Sequence, residues 1–270
     1  MQSVLVSTLF SVTTLLVTAC GANPNTSSLN VEPGSTVNDK DAALFLGQYA
    51  IRGNLATIQN LPFVGKTPAL SSAYSLLTLE RDGSGVKAIE RNCHITITSS
   101  GPVKQLIPDA LPQSAAPIVS PFRIWPEGDT LRFAKDESPI VIGAKVQGSS
   151  EALPTSISDA RVVDQDGDGH PGVTVKVSGL ITGEIYLVQR VRQSWSGQLG
   201  ADGQLSFALM QDAGEQTVLD ASSSLLKKTP EISKDPDASK TNVSFVKLPA
   251  TEDYDCGRLI KDLDSLWPAG

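Results

Sequence analysis

The feature that most constrains this chain is a period-two alternation of apolar and polar residues, repeated from Ala42 onward and broken by turn residues. A strand sends successive side chains to opposite faces, so this alternation describes half-buried β structure. Ile89, Cys93, Ile95 and Ile97 fall in one phase, and Glu90, Asn92, His94 and Thr96 in the other. Tyr74–Arg81 reads as the strand before them, joined through the hairpin-type turn Asp82-Gly83-Ser84-Gly85. Further runs are Phe122/Ile124, Leu131/Phe133, Ile140/Ile142/Ala144/Val146, Val173/Val175/Val177, Ile185/Leu187/Val191, Leu205/Phe207/Leu209 and Val243/Phe245. About ten short strands predict a mostly β fold, an antiparallel barrel or sandwich.

Two stretches read as loops: Pro102–Pro121, with five prolines, and the charged segment Lys227–Lys240. The period changes at the end of the chain. Cys256, Leu259, Ile260, Leu263, Leu266 and Trp267 recur at helical spacing and Pro268 stops them, which predicts a short helix over about 255–267 packed on the sheet. With Gly47-Gln48-Tyr49 at its first strand, a barrel with a trailing helix distantly resembles the lipocalin-like barrels, which carry Gly-x-Trp there.

Residues 2–19 hold no charged side chain and end Val17-Thr18-Ala19-Cys20. This ending resembles a bacterial lipobox, the type II signal-peptide motif whose cysteine is acylated and becomes the mature N-terminus. Met1-Gln2-Ser3 departs from the family pattern, which opens with Lys or Arg. The resemblance implies a signal peptide over 1–19, a lipidated Cys20 and a membrane anchor. Gly21 stands where Asp would favour the inner membrane, so it implies the outer membrane of a bacterial envelope. Residues 20–41, rich in Gly, Pro, Asn, Ser and Thr, read as the tether, and 42–270 as a single β domain.

The 29 acidic side chains outnumber 22 basic ones, giving a net charge of −7. Nucleic acid is therefore not an expected partner, since binding it needs a concentrated basic face. With Cys20 acylated, Cys93 and Cys256 remain in an oxidising compartment. They are expected to form a disulfide, the alternative being two inert buried thiols. Cys93-His94 is not read as a catalytic dyad, because neighbours on a regular strand face opposite ways.

The sharpest local signal is Asp164-Gln165-Asp166-Gly167-Asp168-Gly169-His170-Pro171-Gly172. Three short carboxylates at alternate positions can converge on one hard cation, and the glycine permits the sharp turn that follows. The run resembles the D-x-D-x-D-G opening of EF-hand calcium loops. That resemblance places Asp164, Asp166 and Asp168 at ligand positions one, three and five, and the His170 carbonyl at seven. Position twelve is Val175, on the apolar phase of a strand, so a helix–loop–helix EF-hand is not expected. The strand–loop–strand calcium loops of FG-GAP and thrombospondin type 3 repeats are more similar, although they usually carry Asp at the place of Gly172. With ligands missing, Ca²⁺ affinity on the order of 10⁻⁴–10⁻³ M is expected unless a remote acid, Asp159 or Glu184, completes the shell. The formal dinucleotide fingerprint Gly167-x-Gly169-x-x-Gly172 fails on context, since carboxylates line the anion's seat and a strand follows.

No G-x-S-x-G elbow, Walker loop, H-E-x-x-H or CxxC occurs. Tyr186, Arg190 and Arg192 share a strand face and read as a solvated edge, the alternative being an anion site. The sequence therefore predicts a lipid-anchored, non-enzymatic binding or structural module with a structural calcium loop. Two alternatives stay open: a hydrolase of envelope or extracellular polymers, and a carrier of a small apolar ligand in a barrel. Beyond the membrane, an envelope protein is a further possible partner.

Overall fold

The structure is a computed structural model that describes residues 37–61, 64–147, 150–227, 231–251 and 254–268. The expected signal peptide, Cys20 and the expected tether as far as residue 36 lie outside the described residues. Residues Gly34–Gly270 form one compact unit.

Among the described residues eleven strands make one antiparallel sheet: β1 (Gly47–Leu61), β2 (Gly65–Asp82), β3 (Gly85–Ser99), β4 (Val103–Leu106), β5 (Ile118–Glu127), β6 (Thr130–Ile142), β7 (Val173–Gly179), β8 (Gly183–Gln198), β9 (Phe207–Ala221), β10 (Glu231–Lys234) and β11 (Asn242–Lys247). Eight of them, in the order β8-β6-β5-β3-β2-β1-β11-β9, close into a ring because β9 also pairs with β8. The fold is thus the barrel of the two predicted architectures. β7 and β4 extend the sheet from β8, and β10 pairs with β1. Among the described residues no helix is long and apolar enough to cross a membrane.

An eight-stranded barrel has an interior narrow enough for side chains to fill. Tyr49, Ile51, Leu77, Leu79, Phe122, Phe133, Trp195 and Phe245 fill it here. Helix α1 (Asp39–Phe45) lays Ala42 and Phe45 into the same cluster. The Asn38 side chain caps it by accepting from the Asp41 amide at 2.8 Å. Phe45 meets Phe122 and Phe133 at ring separations of 5.9 Å, and Tyr49 Oη donates to its carbonyl at 2.8 Å. Burial pushes the Tyr49 hydroxyl up to about 12.

Several local expectations change. α1 overlaps the stretch read as the end of the tether. The proline-rich segment contains β4 and the helix α2 (Ala110–Ser114), and the charged segment contains β10. β3 carries a bulge: Ser75 pairs with Asn92 but Tyr74 with His94, which leaves Cys93 as the extra residue. Past the bulge the phase reverses, so Ile95 and Ile97, opposite Ala73 and Ser71, face inward while Cys93 and His94 lie on the outer side. β9 also runs in the phase opposite to that expected from Phe207 and Leu209. Ala208 and Met210 enter the core while Phe207 and Leu209 are exposed; a run apolar on both faces gives no phase signal.

The outer side of β1–β3 is covered by the C-terminal segment, α3 (Cys256–Lys261) and α4 (Leu263–Leu266), where a single helix was expected. Leu259 is fully buried there among Ala50, Cys93 and Leu248. The Cys93–Cys256 disulfide fixes α3 to β3.

Candidate metal centre

The aspartate loop joins the segment after β6 to the start of β7. Its neck is a short ladder: the Gly172 amide donates to the Val163 carbonyl at 3.0 Å, and the Gln165 amide to the Gly172 carbonyl at 3.1 Å. Gly172 has φ +86°, and a Cβ there would lie 2.4 Å from the Leu187 carbonyl oxygen, so only glycine fits.

Within the neck the chain winds around the Asp164 carboxylate. Oδ1 accepts from the amides of Gly167 (2.8 Å) and Asp168 (3.2 Å), and Oδ2 from that of Gly169 (2.9 Å). Asp168 Oδ1 accepts from the His170 amide at 2.9 Å. Asp166 Oδ2 accepts from the Thr174 amide at 2.9 Å, while its Oδ1 is buried with no hydrogen-bond partner. Each of the three aspartates offers one oxygen, and these oxygens lie within 4.8 Å of one another.

This arrangement carries an electrostatic cost. Burial pushes the Asp166 carboxyl above its ordinary value; the Thr174 amide opposes the rise, and the Asp168 and Asp164 charges add to it. A divalent cation among the three oxygens would offset that repulsion. The donor set is all oxygen and anionic, which suits a hard ion.

The structure also places the other expected site residues. The His170 ring stacks on Tyr186 at 4.3 Å, so this residue's contribution to an ion is left to its backbone. Val175 packs with Leu111, Val173 and Leu187 in an apolar cluster separate from the barrel core and supplies no ligand. Asp159 faces the Arg161 guanidinium at 2.7 and 3.0 Å, and Glu184 accepts from Tyr186 Oη at 3.1 Å. Neither belongs to the cluster, so water would complete the shell. Tyr186 and Arg190 are buried rather than solvated, and Arg190 pairs with Glu215 and the Glu151 carbonyl. Cys93 is oxidised and His94 Nδ1 pairs with Asp109, which removes any cysteine–histidine chemistry.

Sequence reasoning missed three contributors. The Gln165 side chain accepts from the Gly143 amide at 2.7 Å and reaches Ser114 Oγ at 3.3 Å, which ties the loop to α2. The Thr174 amide orients Asp166, and Tyr186 supports His170. A backbone amide leaves no residue-type signal, but Tyr186 was legible as an outward residue one strand away.

No protein family, curated protein or solved structure matches this chain.

Proposed function

We propose that this chain is a non-enzymatic binding or structural module of the bacterial envelope, held at the outer membrane by lipid on Cys20. In this reading Asp164, Asp166, Asp168 and the His170 carbonyl hold a structural Ca²⁺. The observation that carries the ion is the cluster of Asp164, Asp166 and Asp168, with one oxygen of each within 4.8 Å of the others, in which Asp166 also keeps a buried Oδ1 without a hydrogen-bond partner. The ion's task is to order the turn into β7. The anchor rests on Val17-Thr18-Ala19-Cys20 after an uncharged run.

Two arms test the proposal. Globomycin, which blocks lipoprotein signal peptidase, is expected to make precursor accumulate in producing cells, and Cys20→Ser to leave the precursor unprocessed. Normal processing in both cases would remove the anchor. At 10 mM Ca²⁺ the compact unit is expected to gain roughly 1 to 3 kcal/mol over protein in chelator. Equal stability in the two would remove the ion.

A further inference from the structure

β5 and β6 pair only over Phe122–Glu127 and Thr130–Lys135. Before that stretch Ile118–Pro121 of β5 pair with β3 alone, and beyond it Ser138–Ile142 of β6 pair with β8 alone. The two strands therefore part, and the ring has an open seam on one side. Ser120 Oγ and Ser138 Oγ, 2.7 Å apart, make the last tie before the fork.

A cleft of about 430 Å³ occupies the fork, with residues 115–119 on one bank, Ser138–Val141 on the other, and Gln165 of the aspartate loop against it. Ile118 and Ile140 are only half-buried and Val119 is 59% exposed, so apolar side chains share the lining with exposed polar groups. Two facing strand edges would ordinarily invite an added strand. This chain blunts them. Pro121 opposite Lys87 and Pro139 opposite Arg192 cannot donate to those partners, so each turns its missing N–H toward the fork. Of the residues aimed into it, Val119, Pro121, Pro139 and Val141, half lack a donor. Each proline removes one backbone donor that a pairing strand would need along this edge.

The lining also selects by charge. It contains no Asp, Glu, Lys, Arg or His; its polar side chains are Ser138 and Gln165. A charged ligand would lose hydration with no partner to replace it. The volume lies in the range of small-molecule sites. We infer that the seam between β5 and β6 binds a small, uncharged molecule that offers hydrogen-bonding groups as well as apolar surface. This rests on the reading of the chain as a binding module and not on the ion.

The test uses N-phenyl-1-naphthylamine, a neutral fluorescent probe, with residues 34–270, the unit that holds its own core. Saturable one-site enhancement is expected, weakened about tenfold or more by Ala116→Trp, which fills the cleft, and by Val119→Glu, which charges it. Both positions are exposed, so the fold should tolerate them. Leu225→Glu, at an exposed leucine that does not line the cleft, should leave binding unchanged. An anionic naphthalenesulfonate probe should bind more weakly than the neutral one. No saturable binding, unchanged binding in both cleft variants, loss of binding in Leu225→Glu, or preference for the anion would overturn the inference. Calcium titration of the same samples keeps the two readings apart. Probe binding without a calcium response contradicts the ion alone, and the converse contradicts the cleft alone.

Discussion

The Thr174 amide donates to Oδ2 of Asp166 over 2.9 Å, and this one bond divides the work of the carboxylate's two oxygens. Oδ2 is tied to Thr174, the second residue of strand β7. Oδ1 is left buried, without a partner, beside Asp164 and Asp168. Thr174 itself is fully buried, so the geometry belongs to the sheet and not to a free loop.

The loop's glycines separate conformational strain from steric exclusion. Gly169 has φ +87° with open space around it, whereas a Cβ on Gly172 would strike the Leu187 carbonyl oxygen. Gly169→Ala is expected to cost about 1 kcal/mol, the ordinary penalty of a left-handed residue. Gly172→Ala should cost at least twice that, because the backbone itself must move. Urea unfolding of the two variants makes the comparison, and equal costs would contradict it.

The disulfide spans a sequence separation of 163 residues. Closing so long a loop restricts the unfolded chain by about 5 kcal/mol on entropy grounds, an upper figure. Cys93→Ser/Cys256→Ser is expected to melt well below the parent protein and to loosen α3. Trp267 packs in the same cluster, 5.5 Å from Tyr74, so its fluorescence should shift to the red before global unfolding. A variant that melts with the parent would show that packing of Leu259 suffices.

Inside the barrel, Lys135 Nζ lies 3.4 Å from Glu90 Oε2 and 4.4 Å from the Trp195 ring centre. The two side chains are 2% and 7% exposed. Removing one partner strands a buried charge, so Lys135→Met and Glu90→Leu should each cost about 3–5 kcal/mol. The double variant should recover most of that loss. A double-mutant cycle by urea denaturation measures it, and additive losses would contradict the pairing.

The Arg161 guanidinium, with its backbone amide, holds the Asp159 carboxyl down to about 2. A carboxyl lowered in the folded state binds fewer protons than the unfolded chain does, so its stabilisation is present above pH 4. It is lost as the pH falls through 2. The melting-temperature difference between the parent and Asp159→Asn should therefore hold from pH 7 to 4 and vanish toward pH 2. A difference that persists at pH 2 would assign the effect to something other than this ion pair.

The alternating runs made the antiparallel strands legible, and the changed period at Cys256 marked the terminal helical segment. The alternation could not show closure, because the β8–β9 pairing joins residues that also fit a sandwich. Nor could it locate the bulge at Cys93, where one extra residue reverses the phase of Ile95 and Ile97. Lys135 shares the inward phase of Phe133, so its burial was readable in principle, but Glu90 reaches it from another strand. In the aspartate loop the three carboxylates were readable as a cluster. Their support was not, since it comes from the backbone amides of Gly167, Asp168, Gly169 and Thr174.

Isothermal titration of residues 34–270 with Ca²⁺, beside Asp166→Ala, addresses the central claim most directly. The parent is expected to bind one ion with a dissociation constant on the order of 10⁻⁴–10⁻³ M, and the variant to give only dilution heat. Indistinguishable heats from the two proteins would contradict a calcium site at this loop.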